Sequence, residues 1–192
     1  MHQKLIEYLE AYIPLTTAEK ELIISSYYPL TLKKKEYLFK QGDHCKTEAF
    51  VLNGTLRVFN TDNKGSEHVL NFALPGWWVG DLASFYQNKE SLVSVQALET
   101  TELLVIDPVR KENLFRNIPA LERVFRIIVQ RHLASLQNRF LVTISETADQ
   151  RYKHLLSKIP NIEQLVPQHQ IASYLGILPE SLSRMKKQLF AK

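Results

Sequence analysis

A single cysteine, Cys45, occurs in the 192 residues. It cannot close an internal disulfide, and four-cysteine zinc or iron–sulfur sites are excluded. Long apolar runs are missing too. No stretch approaches the ~18 residues that a membrane helix needs. Met1-His2-Gln3-Lys4 leads straight into Glu7 and Glu10 rather than into an apolar leader. No P-loop, dinucleotide fingerprint or Ser/His/Asp order stands out, so the expectation is a protein that is not an enzyme and carries no cofactor. His44 and His68 form no His-x-His pair of the kind a metal-binding barrel uses, and no metal is expected. With 45 % hydrophobic and 23 % charged residues the chain is globular, and a soluble, cytoplasmic protein is the expectation.

Glycine is scarce and unevenly placed. Five of the six glycines (Gly42, Gly54, Gly65, Gly76 and Gly80) punctuate short runs such as Ala49–Leu52, Thr55–Asn60 and Glu67–Leu74. Strands at such spacing, with turn signals between them, predict a small antiparallel β-barrel or roll over residues 29–106. Asp62-Asn63-Lys64-Gly65 reads as a hairpin turn. Helices flank the roll. Leu5, Leu9 and Ile13 mark one, Thr16 to Glu19 is a capping box for a second, and Asp107-Pro108 opens a third.

After Pro119, through Ser145, there is neither glycine nor proline. Leu121, Phe125, Ile128, Leu133 (or His132), Leu136, Phe140 and Ile144 recur at three- and four-residue steps, an apolar stripe on a helix ~40 Å long. One small roll cannot cover that length. Either the helix runs between two domains, or a second copy covers the remainder, and dimerisation is the favoured reading.

Charge separates the last quarter of the chain from the rest. Residues 1–146 carry 17 basic and 17 acidic side chains, whereas residues 147–192 carry 7 basic against 3 acidic. A small basic module points to a polyanion, most simply nucleic acid. Gln168 to Lys187 meets the requirements of a helix–turn–helix. Ala172 sits where the helices touch, Gly176 in the turn, and Ile171, Leu175, Ile177, Leu182 and Met185 at core positions. Pro179 opens the second helix. Glu180, Ser181, Ser183, Arg184 and Lys187 are left facing out, Arg184 suited to a guanine edge and Glu180 to a cytosine amino group or to orienting Arg184. Ser181, Lys187 and Gln168 suit phosphates. An ordinary αα-corner satisfies the same core pattern.

A glycine-punctuated roll, a long helix and a terminal helix–turn–helix, in this order, resemble the CRP/FNR family of bacterial transcription regulators. The resemblance implies an α+β chain: a jelly-roll-like sensor domain with flanking helices (1–118), a dimerisation helix (119–146) and an all-α DNA-binding domain (147–192). It implies double-stranded DNA, a second copy and RNA polymerase as partners, and no membrane. Gly80-Asp81-Leu82-Ala83-Ser84-Phe85 is similar to the family's phosphate-binding cassette. By this resemblance the effector pocket comprises Gly80, Asp81, Leu82, Ala83, Ser91 and Leu92, with Leu136 and Gln137 from the long helix.

Departures from the family pattern bear on the ligand. Asp81 replaces the usual glutamate, and Ser91-Leu92 stands where an Arg-Ser pair would hold a cyclic phosphate. No basic residue lies between Lys89 and Arg110. A buried phosphate without a cation is costly, so cyclic AMP is not expected to bind in the usual way. Pro179 replaces an arginine frequent at the start of the recognition helix, and the wing hairpin that often follows it has no counterpart before Lys192. Two further readings remain. Cys45 with a histidine is a candidate haem pair, and Trp77-Trp78 is a candidate patch for a signalling module that binds a ligand or partner but not specific DNA.

Overall fold

The computed structural model describes residues 1–190; Lys192, counted in the basic excess, lies outside them. In chain order the elements are α1 (Gln3–Glu10), α2 (Thr17–Ser26), β1 (Tyr28–Leu32), β2 (Tyr37–Phe39), β3 (Glu48–Asn53), β4 (Leu56–Thr61), β5 (Glu67–Ala73), β6 (Trp78–Val79), α3 (Leu82–Gln87), β7 (Ser94–Ala97) and β8 (Thr101–Ile106). There follow α4 (Pro108–Asn117), α5 (Ala120–Ser145), α6 (Ala148–Lys158), α7 (Ile162–Leu165), α8 (Gln168–Leu175) and α9 (Pro179–Phe190).

Two antiparallel four-stranded sheets, β1-β8-β3-β6 and β2-β7-β4-β5, face each other. The unbroken apolar runs of β3 and β8 follow from burial on both faces. Ala49, Val51, Leu103 and Val105 point into the space between the sheets. Phe50, Leu52, Leu104 and Ile106 point the other way, onto Leu5, Ile6, Leu9 and Ile23 of α1 and α2 and onto the start of α5. The predicted capping box holds, since Thr16 accepts from the Glu19 amide and the Glu19 carboxylate accepts from the Thr16 amide. In the β4–β5 turn the Asp62 carboxylate accepts from the Lys64 and Ser66 amides, and Gly65 takes φ +81°.

The apolar stripe of α5 has two fates. Leu121, Val124 and Phe125 are buried against the first sheet and its helices. Beyond Ile128 the stripe emerges: Val129, Leu133, Leu136, Phe140 and Ile144 are exposed. Their steps of four, three, four and four residues form a coiled-coil-type row. A second capping box, Thr147 with Gln150, then starts α6.

The C-terminal helices close one cluster with the second sheet. Tyr152, Leu155, Ile162, Val166, Ile171, Ala172, Leu175, Leu182 and Met185 pack together, and Phe59, Val69 and Phe72 of β4 and β5 join them. Helix α8 lies on β5, the outer strand of its sheet. There the Ser173 hydroxyl accepts from the Val69 amide and donates to the Glu67 carbonyl, both at 2.9 Å. Phe72 and Tyr174 rings meet at 5.4 Å.

Candidate effector cleft and nucleic-acid interface

The α8–α9 corner is built as its sequence requires. Gly176 takes φ +69° at the α8 C-terminus, and its amide reaches back to the Ala172 and Ser173 carbonyls. A glycine there avoids the steric cost of a left-handed side chain. Ile171, Ala172, Leu175, Leu182 and Met185 are buried, and Ile177 is half-buried. On α9, Pro179, Glu180, Ser183, Arg184 and Lys187 are exposed and Ser181 is half-buried; Gln168 is exposed at the start of α8. Arg151 ties α6 to the corner by donating to the Glu146 and Leu175 carbonyls. Lys186 is committed elsewhere, 2.5 Å from Glu163, which also accepts from the Tyr152 hydroxyl. Burial pushes the Glu163 carboxyl up, but Lys186 and Tyr152 together hold it below the usual carboxylate range.

The cassette residues fall into two groups. Asp81 caps α3, accepting from the Ala83 and Ser84 amides, and its other oxygen accepts from the Ser91 hydroxyl at 2.8 Å and the Leu92 amide at 3.3 Å. The donors that the resemblance assigns to a ligand phosphate are therefore already held by a carboxylate of the chain. An anion arriving there meets a negative charge rather than an arginine. Ala83 and Leu92 are exposed. Gly80, Leu82 and Leu136 instead line a separate cleft between the roll and α5, while Gln137 is exposed and does not line it.

That cleft has a volume of about 440 Å³. Its apolar walls include Trp77, Trp78, Phe125, Ile128 and Leu136. Trp78 packs its ring on Phe50 and Phe125 at 5.2 and 4.9 Å, so it sits beside the long helix. Trp77 lies against the core between the sheets. Arg131, His132, Ser135 and Arg139 of α5 and Lys158 of α6 supply the polar side. Neither His132 nor any of the three cations Arg131, Arg139 and Lys158 is within ion-pair distance of a carboxylate among the described residues. Glu48 also lines the cleft, but it is buried against Lys111. Arg131 donates to the Tyr12 hydroxyl at 2.7 Å, Lys158 donates to Ser135 and lies over the Trp77 ring, and Arg139 lies 4.4 Å over the Tyr174 ring of α8. Burial, and then the neighbouring Arg139 charge, pulls the Lys158 ammonium down; burial, and then Lys158, does the same to His132. The sequence singled out His132 only as an alternative member of the apolar stripe, and not Arg131, Ser135, Arg139 or Lys158. The available signal was the four-residue spacing Arg131–Ser135–Arg139, which places a polar row on one helix face.

Among the described residues no group of three or more His, Cys, Asp or Glu side chains is placed to hold a metal ion. The His68 ring is bound to Asp62. Cys45 is buried, its thiol donates to the Thr47 carbonyl, and burial raises its pKa. That is the reverse of what a thiolate ligand needs.

Residues 29–117 match the family model of the cyclic nucleotide-binding domain. The chain is 30 % identical over 165 residues to the transcriptional activator protein Anr of Pseudomonas protegens, an alignment spanning 80 % of this chain and 67 % of that one. It is 31 % identical over 165 residues to the transcriptional activator protein FnrA of Stutzerimonas stutzeri, with the same coverage. The chain belongs to the CRP/FNR family of transcription regulators. Solved structures of this fold agree. FixK2 from Bradyrhizobium japonicum superimposes with a TM-score of 0.74 at 17 % identity, covering 86 % of this chain and 85 % of that one. A CRP/FNR-family regulator from Eubacterium rectale gives 0.72 at 19 % identity, covering 95 % and 88 %. The family role of its relatives is regulatory, not catalytic. No helix among the described residues is long and apolar enough to cross a membrane.

Proposed function

We propose that this CRP/FNR-family protein is a homodimeric regulator that reads double-stranded DNA with α9 and takes its signal at the roll. The observation that carries this reading is the corner itself. Its apolar positions are buried, while Glu180, Ser183 and Arg184 in the first half of the second helix and Lys187 in its last turn face solvent, as a helix entering a major groove requires. The exposed row from Val129 to Ile144 supplies the seam for a second α5. Two recognition helices then address half-sites ~34 Å apart, and a signal at the roll acts by shifting the population of helix arrangements that fit this spacing. The protein works in the cytoplasm, with RNA polymerase as its further partner.

The test is selection of duplexes from a random DNA pool by the purified protein. An enriched inverted repeat is expected, with binding that weakens steeply as salt rises. Arg184→Ala lowers discrimination between the enriched site and its variants by about 1–3 kcal/mol. No enrichment by a folded, dimeric protein, either alone or with cyclic nucleotides and a metabolite fraction added, favours a roll that serves as a partner-binding module instead.

A further inference from the structure

One carboxylate organises the start of α3. The Oδ1 of Asp81 accepts from the Ala83 and Ser84 amides at 3.0 and 3.1 Å. Its Oδ2 accepts from the buried Ser91 hydroxyl at 2.8 Å and from the Leu92 amide at 3.3 Å. Four donors from two segments thus converge on one negative charge, and no cation among the described residues pairs with it. Convergent donors are how a chain holds an anion without a counter-charge. Helix α3 has six residues, too few to persist by its own hydrogen bonds, so its cap and its packing decide whether it forms. The packing side of α3 meets a buried cation. Phe85 and Tyr86 of α3, Phe115 of α4 and Phe125 of α5 place their ring centroids between 4.2 and 5.8 Å from the Lys111 ammonium. Lys111 pairs with Glu48 and is 3 % exposed, so it depends on these neighbours in place of water. Phe125 in turn meets the Trp78 ring at 4.9 Å.

We propose that Asp81 is a permanent internal anion of the roll. Its carboxylate fills the place that these four donors would offer to an anion from solution. By doing so it keeps α3 closed over Lys111 and, through the ring cage, keeps the start of α5 in place. Asp81 is a positioning residue, acting on α5 through α3 and Lys111. The signal taken at the roll is then not an anion captured by the Ala83, Ser84, Ser91 and Leu92 donors. The inference concerns the roll and the start of α5, and does not rest on DNA reading.

Chemical rescue tests this. Full-length wild type, Asp81→Ala and Asp81→Asn are compared by hydrogen exchange, without DNA, in sodium chloride and in sodium formate of equal ionic strength. Formate is the probe because Asp81→Ala removes one carboxylate. In Asp81→Ala, exchange at residues 82–87 should rise at least about tenfold and exchange around Lys111 about threefold, with a shift in tryptophan emission through Phe125 and Trp78. Formate at about 100 mM should return most of the protection to Asp81→Ala and leave the wild type, whose donors are already held, unchanged. Asp81→Asn fills the same space without the charge, so it should exchange faster than wild type and ignore formate. Thermal melting of each variant checks that it is folded; should Asp81→Ala fold only with formate, that is the rescue in its strongest form. Wild-type protection in Asp81→Ala or Asp81→Asn overturns the need for an anion. An Asp81→Ala defect that formate repairs no better than chloride overturns the internal anion. Loosened residues 82–87 with unchanged exchange around Lys111 and unchanged emission overturn the link to α5. Because DNA is absent, these outcomes are independent of the duplex selection.

Discussion

Leu133→Ala should separate dimer from monomer stability. Leu133 is 54 % exposed in the single chain, in the middle of the α5 row. The substitution removes three carbons, worth about 0.8 kcal/mol each when fully buried. Scaled by the exposed fraction, the second α5 gains about 1.3 kcal/mol from each copy. A two-fold seam contains the residue twice, so the dimer loses about 2.6 kcal/mol and its dissociation constant rises about 80-fold. The fold of the single chain should change by less than about 0.5 kcal/mol, since an exposed side chain contributes little there. Sedimentation velocity over a dilution series reads the first quantity and urea unfolding of the diluted monomer reads the second. Phe125→Ala is the contrast. That ring is buried within the chain, and its loss should cost about 3–5 kcal/mol of folding. If Leu133→Ala leaves the dissociation constant within a factor of three, or destabilises the monomer as Phe125→Ala does, the exposed row is not the seam.

Three further outcomes are expected. Lys111→Met leaves Glu48 buried without its partner (3 % and 8 % side-chain exposure) and should cost about 3–5 kcal/mol in urea unfolding, whereas adding Glu48→Leu should restore most of it; a double variant as weak as the single refutes the pairing argument. Gly54 and Gly65 both have positive φ, but a Cβ at Gly54 falls 2.6 Å from the Thr101 hydroxyl and 2.7 Å from the Thr100 carbonyl, while one at Gly65 meets nothing within 4 Å. Gly65→Ala should therefore cost about 1–2 kcal/mol and Gly54→Ala clearly more, ranked by melting temperature. Glu163 has a carboxyl pKa held below the ordinary value of about 4.3, so its contribution is present above that pH and is lost as acid protonates it in the folded state. The Tyr152 and Lys186 contacts between α6 and α9 should loosen as the pH falls below the ordinary carboxyl range, and Glu163→Gln should flatten that part of the stability–pH curve.

Local features were the readable ones. The capping residue Thr16, the Asp62–Gly65 turn and the Gly176 corner each depend on a few adjacent residues, and the structure has all of them. The roll followed from the spacing of its glycines. The stripe on α5 was visible, but not the point after Ile128 where it leaves the roll, because that depends on how far α1 and the first sheet extend. Asp81 was visible as a shortened glutamate. Its bond to Ser91 depends on the folded loop, which returns a residue ten positions away. The cationic cleft was illegible for the same reason, since Lys158 joins Arg139 only when α6 folds back along α5. Ser173 illustrates the limit, because its partners on β5 are more than 100 residues distant.

That serine has a further effect. The outer edge of β5 presents backbone groups with no next strand, the kind of surface on which chains add to one another. The Ser173 hydroxyl satisfies one donor and one acceptor on that edge at once, standing in for a neighbouring peptide, while Tyr174 shields Phe72 beside it. The first helix of the α8–α9 corner is therefore also a guard against aggregation. Any rearrangement that lifts α8 from the sheet uncovers an adhesive edge, so the protein gains solubility from keeping the corner docked.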